Sequence, residues 1–74
     1  MMKGTIDVKK QFGLKVRHYR MIRNISQEEL GDITGLHRTY ISDVERGQRN
    51  LSLENIYALA KALGVRMGSL LDFD

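Results

Sequence analysis

Residues 25–47 read ISQEELGDITGLHRTYISDVERG, and the caps and glycines of that stretch decide the fold. Ser26 followed by Glu29 is a capping box, in which the hydroxyl accepts from the third helical amide while the carboxylate reaches back to the cap. A helix therefore starts at Gln27, with Glu28 and Glu29 placing negative charge on its positive end and Ile25 packing onto Leu30 or its neighbours. It ends near Thr34, because Gly35 supplies the left-handed backbone that closes a helix cheaply. Leu36 turns inward, and helical spacing resumes from His37 to Arg46 through Ile41 and Val44. Gly31 lets the two helices approach closely. Two short helices about a tight turn, spanning roughly 27–46, form a helix-turn-helix pattern. Any compact all-α protein can join two helices this way, so function rests on the side chains that project.

Outward from this motif the same periodicity continues. Asp7 can cap a first helix whose Phe12, Val16 and Tyr19 recur along one face as core. Gly47 ends the third helix, and Gln48 to Leu51 form a polar loop before Ser52 caps a fourth. There Leu53, Ile56, Leu59, Ala60 and Leu63 mark one apolar stripe, with Gly64 at the C-terminal glycine position and Val65 turned inward. A last helical turn around Met67 to Leu71 leaves Leu70, Leu71 and Phe73 in a segment too small to bury them all within one subunit. The expectation is an all-α, compact five-helix bundle, with residues 1–6 a flexible tail and 7–74 a single domain.

The 74 residues leave no room for a second domain, and their net stability should be roughly 4 to 11 kcal/mol. The chain has no cysteine, which removes disulfides, thiolate zinc sites and cysteine nucleophiles together and fits a reducing compartment, read as cytoplasm. No apolar run approaches the roughly 20 residues that span a bilayer, and the N-terminus has no signal-peptide core. The net charge of +3 is uneven: residues 1–50 hold ten Lys/Arg against six Asp/Glu, and residues 51–74 hold two against three. That split suits a basic face for a polyanion.

Projecting from the third helix, opposite its core stripe, are Arg38, Thr39, Tyr40, Ser42 and Asp43. Arg38 lies near the helix start, where a guanidinium can bond guanine O6 and N7 together, although an exposed arginine there is usually just solvated. Thr39 can bond a base or pack its methyl on thymine, or else cap the first turn. Tyr40 can stack, touch phosphate or lie flat on the protein. Asp43 can accept from cytosine N4 or pair with Arg46 three residues on, and the intrahelical pair is favoured. Phosphate contacts are expected from groups framing the groove: Gln27 at the start of the second helix, His37 beside the recognition helix, and Arg49, Asn50 and Ser52 after it. Arg17 and Lys15 add attraction from the first helix or remain solvated charges. His18 reads as a surface histidine, and no carboxylate spacing makes either histidine a metal ligand.

The runs ISQEEL at 25–30, GLHRTYIS at 35–42, VERG at 44–47 and ALAKALGV at 58–65 closely resemble the lambda-repressor-like, Cro-type helix-turn-helix family, also called the xenobiotic-response-element family. The resemblance covers roughly residues 10–72 and implies a five-helix bundle that binds operator DNA as a dimer. It maps Gln27 to a phosphate-contacting position, and Arg38, Thr39 and the Ser42/Asp43 turn to base-reading positions. It also maps Arg20 and Glu45 to a partly buried ion pair tying the first helix to the end of the recognition helix. Within the family the chain looks like the controller proteins of restriction-modification systems, a style shared with phage-type repressors and antitoxins. Gly31 departs from the family's usual alanine, weakening its helix by roughly 1 kcal/mol, and Ile33 sits where a polar residue is common.

The function so implied is a sequence-specific transcriptional regulator that binds a near-palindromic operator in double-stranded DNA as a homodimer, with Met67, Leu70, Leu71 and Phe73 as the self-complementary contact. No small-molecule effector, cofactor or membrane partner is expected. The alternative is an antitoxin-type module that grips a protein partner and binds DNA secondarily. Catalysis is set aside, for want of a cysteine nucleophile, a clustered His/carboxylate set, a phosphate-cradling glycine motif or pocket volume.

Overall fold

The Asp7 carboxylate accepts from the Lys10 amide at 3.2 Å and opens the first helix, α1 (Val8–Ile22), in a computed structural model that describes residues 6–73. The tail expected at 1–6 falls mostly outside the described residues, and Ile6 is exposed and non-helical. Helix α1 buries Phe12, Gly13 and Val16, while Tyr19 packs half-buried beside them. It closes through Asn24, whose φ of 59° makes it a non-glycine residue in the left-handed region, with the Ile25 amide donating back to the Arg20 carbonyl at 3.3 Å. That closing geometry is the usual one for a helix end, and asparagine tolerates it better than most side chains.

Both halves of the capping box are formed at α2 (Gln27–Thr34). Ser26 Oγ accepts from the Glu29 amide at 2.9 Å, and Glu29 Oε1 accepts from the Ser26 amide at 2.7 Å. Gly35 closes α2 with φ 76°. Helix α3 runs Arg38–Glu45, one residue shorter at each end than the spacing suggests, because His37 and Arg46 serve as its caps. A Cβ on Gly31 would stand 2.8 Å from the Leu36 carbonyl oxygen, so the turn passes against α2 at backbone contact. Alanine here would need the turn to shift, so the intrinsic helix weakness of glycine is not one that alanine would simply remove.

Ser52 caps α4 (Leu53–Leu63) by accepting from the Asn55 amide at 3.1 Å, and α5 (Met67–Leu70) is a single turn. The core gathers Phe12 and Val16 of α1, Leu30 of α2, Ile41 and Val44 of α3, Leu59, Ala60 and Leu63 of α4, and Leu70 of α5. Among the described residues there is no strand, and no helix is long and apolar enough to cross a membrane.

Two sequence expectations are corrected. Leu53 is 70% exposed and does not belong to the α4 core stripe: on that first turn the core is met by Ile56 instead. Leu70 is 0% exposed, so it cannot form an intersubunit contact: α5 folds back on α4 and makes Leu70 part of the core. Phe73 is likewise half-buried against the core, whereas Leu71 is exposed.

Candidate nucleic-acid interface

Helix α3 is fixed from below and presented from above. Ile41 and Val44 anchor it in the core, and the Arg20–Glu45 pair fastens its C-terminal end. Arg20 Nε donates to Glu45 Oε2 at 2.6 Å, Nη2 donates to Oε1 at 3.0 Å, and Nη1 reaches the Ile25 carbonyl at 3.0 Å. Gln27 Nε2 donates to the same Glu45 Oε1 at 3.0 Å. One carboxylate thereby joins the end of α1, the start of α2 and the end of α3. The Glu45 hydrogen bond holds the Arg20 guanidinium above its ordinary pKa against the lowering effect of burial, so the cation persists wherever the protein is folded. The Gln27 side chain, expected on phosphate, spends one amide hydrogen inside this clamp and keeps the other.

The exposed edge of α3 begins with Arg38 and Thr39, whose side chains make no hydrogen bond to the rest of the described residues. His37 caps them: its Nδ1 accepts from the Thr39 amide at 3.0 Å, a bond that requires the neutral imidazole to carry its proton on the outward Nε2. Tyr40 is half-buried and packs against the core, with its hydroxyl accepting from Asn55 Nδ2 at 3.0 Å. It lies along the protein and leaves its hydroxyl hydrogen free to donate. Ser42 Oγ accepts from Arg46 Nη1 at 2.9 Å.

Asp43 makes the favoured intrahelical pair and a second one across the turn. One oxygen pairs with Arg46 as the i,i+3 spacing suggests, and the other accepts from Arg49 Nε at 3.2 Å. Arg49 lies with its guanidinium 4.9 Å from the centre of the Tyr40 ring. Asn50 is exposed next to it, and Ser52 is occupied as the α4 cap. Arg17 is exposed on α1 and has no ion-pair partner among the described residues. The contacts missed in the sequence are Arg49 to Asp43 and Asn55 to Tyr40. They span the chain reversal at Gly47, where no helical period operates, so no spacing signal was there to find them. Among the described residues no group of three His, Cys, Asp or Glu could hold a metal ion.

A second surface is formed by α4 and α5. Leu53 and Tyr57 of α4, 70% and 54% exposed, line one groove with half-buried Met67 of α5. Leu71, 46% exposed, lies outside that groove, lining a separate one with Phe73 and Asn50.

Comparison with known proteins agrees with this architecture. A helix-turn-helix family model matches residues 16–70. The control protein C.BamHI of Bacillus amyloliquefaciens is 54% identical over 93% of this chain and 86% of its own length. The crystal structure of the restriction-modification controller C.AhdI from Aeromonas hydrophila superposes with a TM-score of 0.80 at 46% identity, covering 82% of this chain and 92% of that one. The P22 c2 repressor, solved in complex with a synthetic operator, gives a TM-score of 0.79 at 35% identity over 85% of this chain and 96% of its own. The chain therefore belongs to the lambda-repressor-like helix-turn-helix family and is a homologue of the restriction-modification controller proteins.

Proposed function

We propose that the protein is a sequence-specific DNA-binding regulator, without catalytic activity, that acts in the cytoplasm and reads a near-palindromic operator as a homodimer. The observation that carries this reading is the free Arg38–Thr39 edge at the start of a rigidly clamped α3, in a fold shared with controllers and with an operator-bound repressor. Arg38 presents the bidentate donor that suits guanine, Thr39 offers a hydroxyl and a methyl, and Ser42 lies one turn further along. Tyr40 serves phosphate in this reading, through its free hydroxyl hydrogen. Gln27, His37 Nε2–H, Asn50, Ser52, Arg17 and Arg49 are the remaining groups that frame the backbone of the groove.

The second subunit seats on Leu53, Tyr57 and Met67, keeping Met67 of the set expected from sequence, with exposed Leu71 at its margin. Leu70 and Phe73 belong to the monomer's own packing, so truncating the C-terminus would unfold the bundle rather than dissociate a dimer. Leu53→Lys is the cleaner test because the side chain is already exposed. It should leave the melting temperature nearly unchanged, convert the dimer to monomer in sedimentation, and weaken operator binding by about tenfold or more. An unaltered sedimentation profile would reject this interface.

Selection of binding sites from a random duplex pool at near-physiological salt tests the whole reading. A two-fold symmetric motif with half-sites about 34 Å apart is expected. Enrichment of no motif would instead favour a partner-binding module. On the recovered duplex, Arg38→Ala should lose about 1 to 3 kcal/mol and relax preference at one base pair of each half-site. Arg17→Ala should weaken all duplexes alike and lower the salt slope by about one. Equal loss on operator and random DNA for Arg38→Ala would remove it from base reading.

A further inference from the structure

Asp43 is the one acidic side chain of α3's outward face, and it holds two of the region's arginines. Its Oδ1 pairs with Arg46 and its Oδ2 with Arg49, while the Tyr40 ring under Arg49 and the Asn55 amide on Tyr40 fix the second pair in place. Both arginine side chains remain substantially exposed, at 61% and 45%, whereas the Asp43 side chain is 20% exposed. The two guanidiniums are thus at the surface, where phosphate would meet them, and the carboxylate that neutralises them is tucked between. In this DNA-free arrangement Asp43 occupies the position chemically equivalent to a phosphate: an anion accepting from two arginines at once.

From this geometry we infer that Asp43 is an electrostatic brake on sequence-independent DNA binding. The inference rests on the DNA-binding reading above and adds to it a residue that sets how many arginines are available to the backbone. Non-specific binding arises almost entirely from cations that displace counterions condensed on phosphate. An arginine that leaves Asp43 for a phosphate exchanges one anionic partner for another, and strands a carboxylate beside the polyanion. The net gain from Arg46 and Arg49 is therefore small on arbitrary DNA. Arg49 meets the same opposition at the operator backbone, but base reading by Arg38 and Thr39 does not pass through Asp43, and that is what the operator keeps and bulk DNA lacks. The arrangement lowers competition from bulk DNA, which for any operator-binding protein decides occupancy as much as operator affinity does.

Asp43→Asn keeps the size of the side chain and removes the charge. Binding to a random-sequence duplex, followed by fluorescence anisotropy across a salt series, should tighten by about three- to tenfold, the range expected when weak exposed ion pairs are released. The slope of log affinity against log salt should steepen by about one to two as the freed arginines engage phosphate. Asp32→Asn, the same charge change at an exposed α2 residue that pairs with neither arginine, should give a distinctly smaller effect. In an Arg46→Gln/Arg49→Gln background, Asp43→Asn should change little. Equal effects of Asp43→Asn and Asp32→Asn would reduce the result to net charge and overturn the brake, as would an unchanged salt slope. Because the random duplex needs no operator, these outcomes are separate from a failed site selection. Absence of binding by every variant would overturn both readings together.

Discussion

Glu45→Ala is expected to lose about 3 kcal/mol of stability, a large part of the roughly 4 to 11 kcal/mol available to a domain of this size. The Glu45 side chain is 5% exposed and that of Arg20 14%, so removing the carboxylate leaves a nearly buried guanidinium with only the Ile25 carbonyl as acceptor. It also strips Gln27 of its acceptor at the start of α2. For a domain this small the melting temperature should fall by about 12 to 24 °C. The raised pKa of Arg20 sets the upper end of the effect: with Glu45 ionised, its contribution is present below the guanidinium's unfolded value and is lost as pH rises through the folded one, in strong alkali. The loss should therefore be the same at pH 6 and pH 8.

The double variant Arg20→Met/Glu45→Leu separates attraction from neutralisation. Two buried charges give back most of their attraction as desolvation, and an apolar pair of similar volume is often neutral or better. The double variant should melt within about 5 °C of wild type, on the scale of 1 kcal/mol. If it melts as low as Glu45→Ala, the pair contributes far more than mutual compensation, and the clamp on α3 depends on the specific hydrogen bonds. Operator binding by a stable double variant would then report whether the clamp also sets the angle of the recognition helix.

What the sequence revealed and what it withheld follow one physical division. Caps and closing glycines act over three or four residues, so Asp7, Ser26, Gly35, Ser52 and Gly64 mark the helices within a residue of where they lie. The core positions Phe12, Val16, Leu30, Ile41 and Val44 show as period for the same reason. Contacts between elements carry no such signal. Leu53 continues the α4 period yet is exposed, because on that first turn it is Asn55 that meets Tyr40 and Ile56 that meets the core. Leu70 looked surplus to a short segment, yet it completes the core, since whether a four-residue helix folds back is decided by α4 and α1. At the site, Asp43 to Arg46 is a helical neighbour pair and was visible, whereas Arg49 returns to Asp43 only because the chain reverses at Gly47. Asn24 closes α1 in the left-handed region without a glycine, so that turn carries no sequence signal.

Gly13 shows the same limit most sharply, and it carries the second large effect. It lies between Phe12 and Val16 with no turn to announce it, in the interior of α1, where glycine weakens a helix by about 1 kcal/mol relative to alanine. A Cβ placed there would drive into the Val44 carbonyl oxygen and stand 2.7 Å from that of Glu45. Backbone cannot step aside as a flexible side chain can, so α1 would have to move off the end of α3, and overpacking of this kind costs about 3 kcal/mol. Gly13→Ala should thus be destabilising by about 2 kcal/mol even after the gain in helix propensity. The paired control is Gly68→Ala in α5, where an added Cβ meets nothing within 4 Å and stability should rise by a few tenths of a kcal/mol. Chemical denaturation of the two variants measures both. An unchanged or raised midpoint for Gly13→Ala would mean that α1 does not cross α3 at carbonyl contact. A loss at Gly13 alone would identify the crossing that seats Glu45 beside Arg20, and hence the contact on which the presentation of α3 depends.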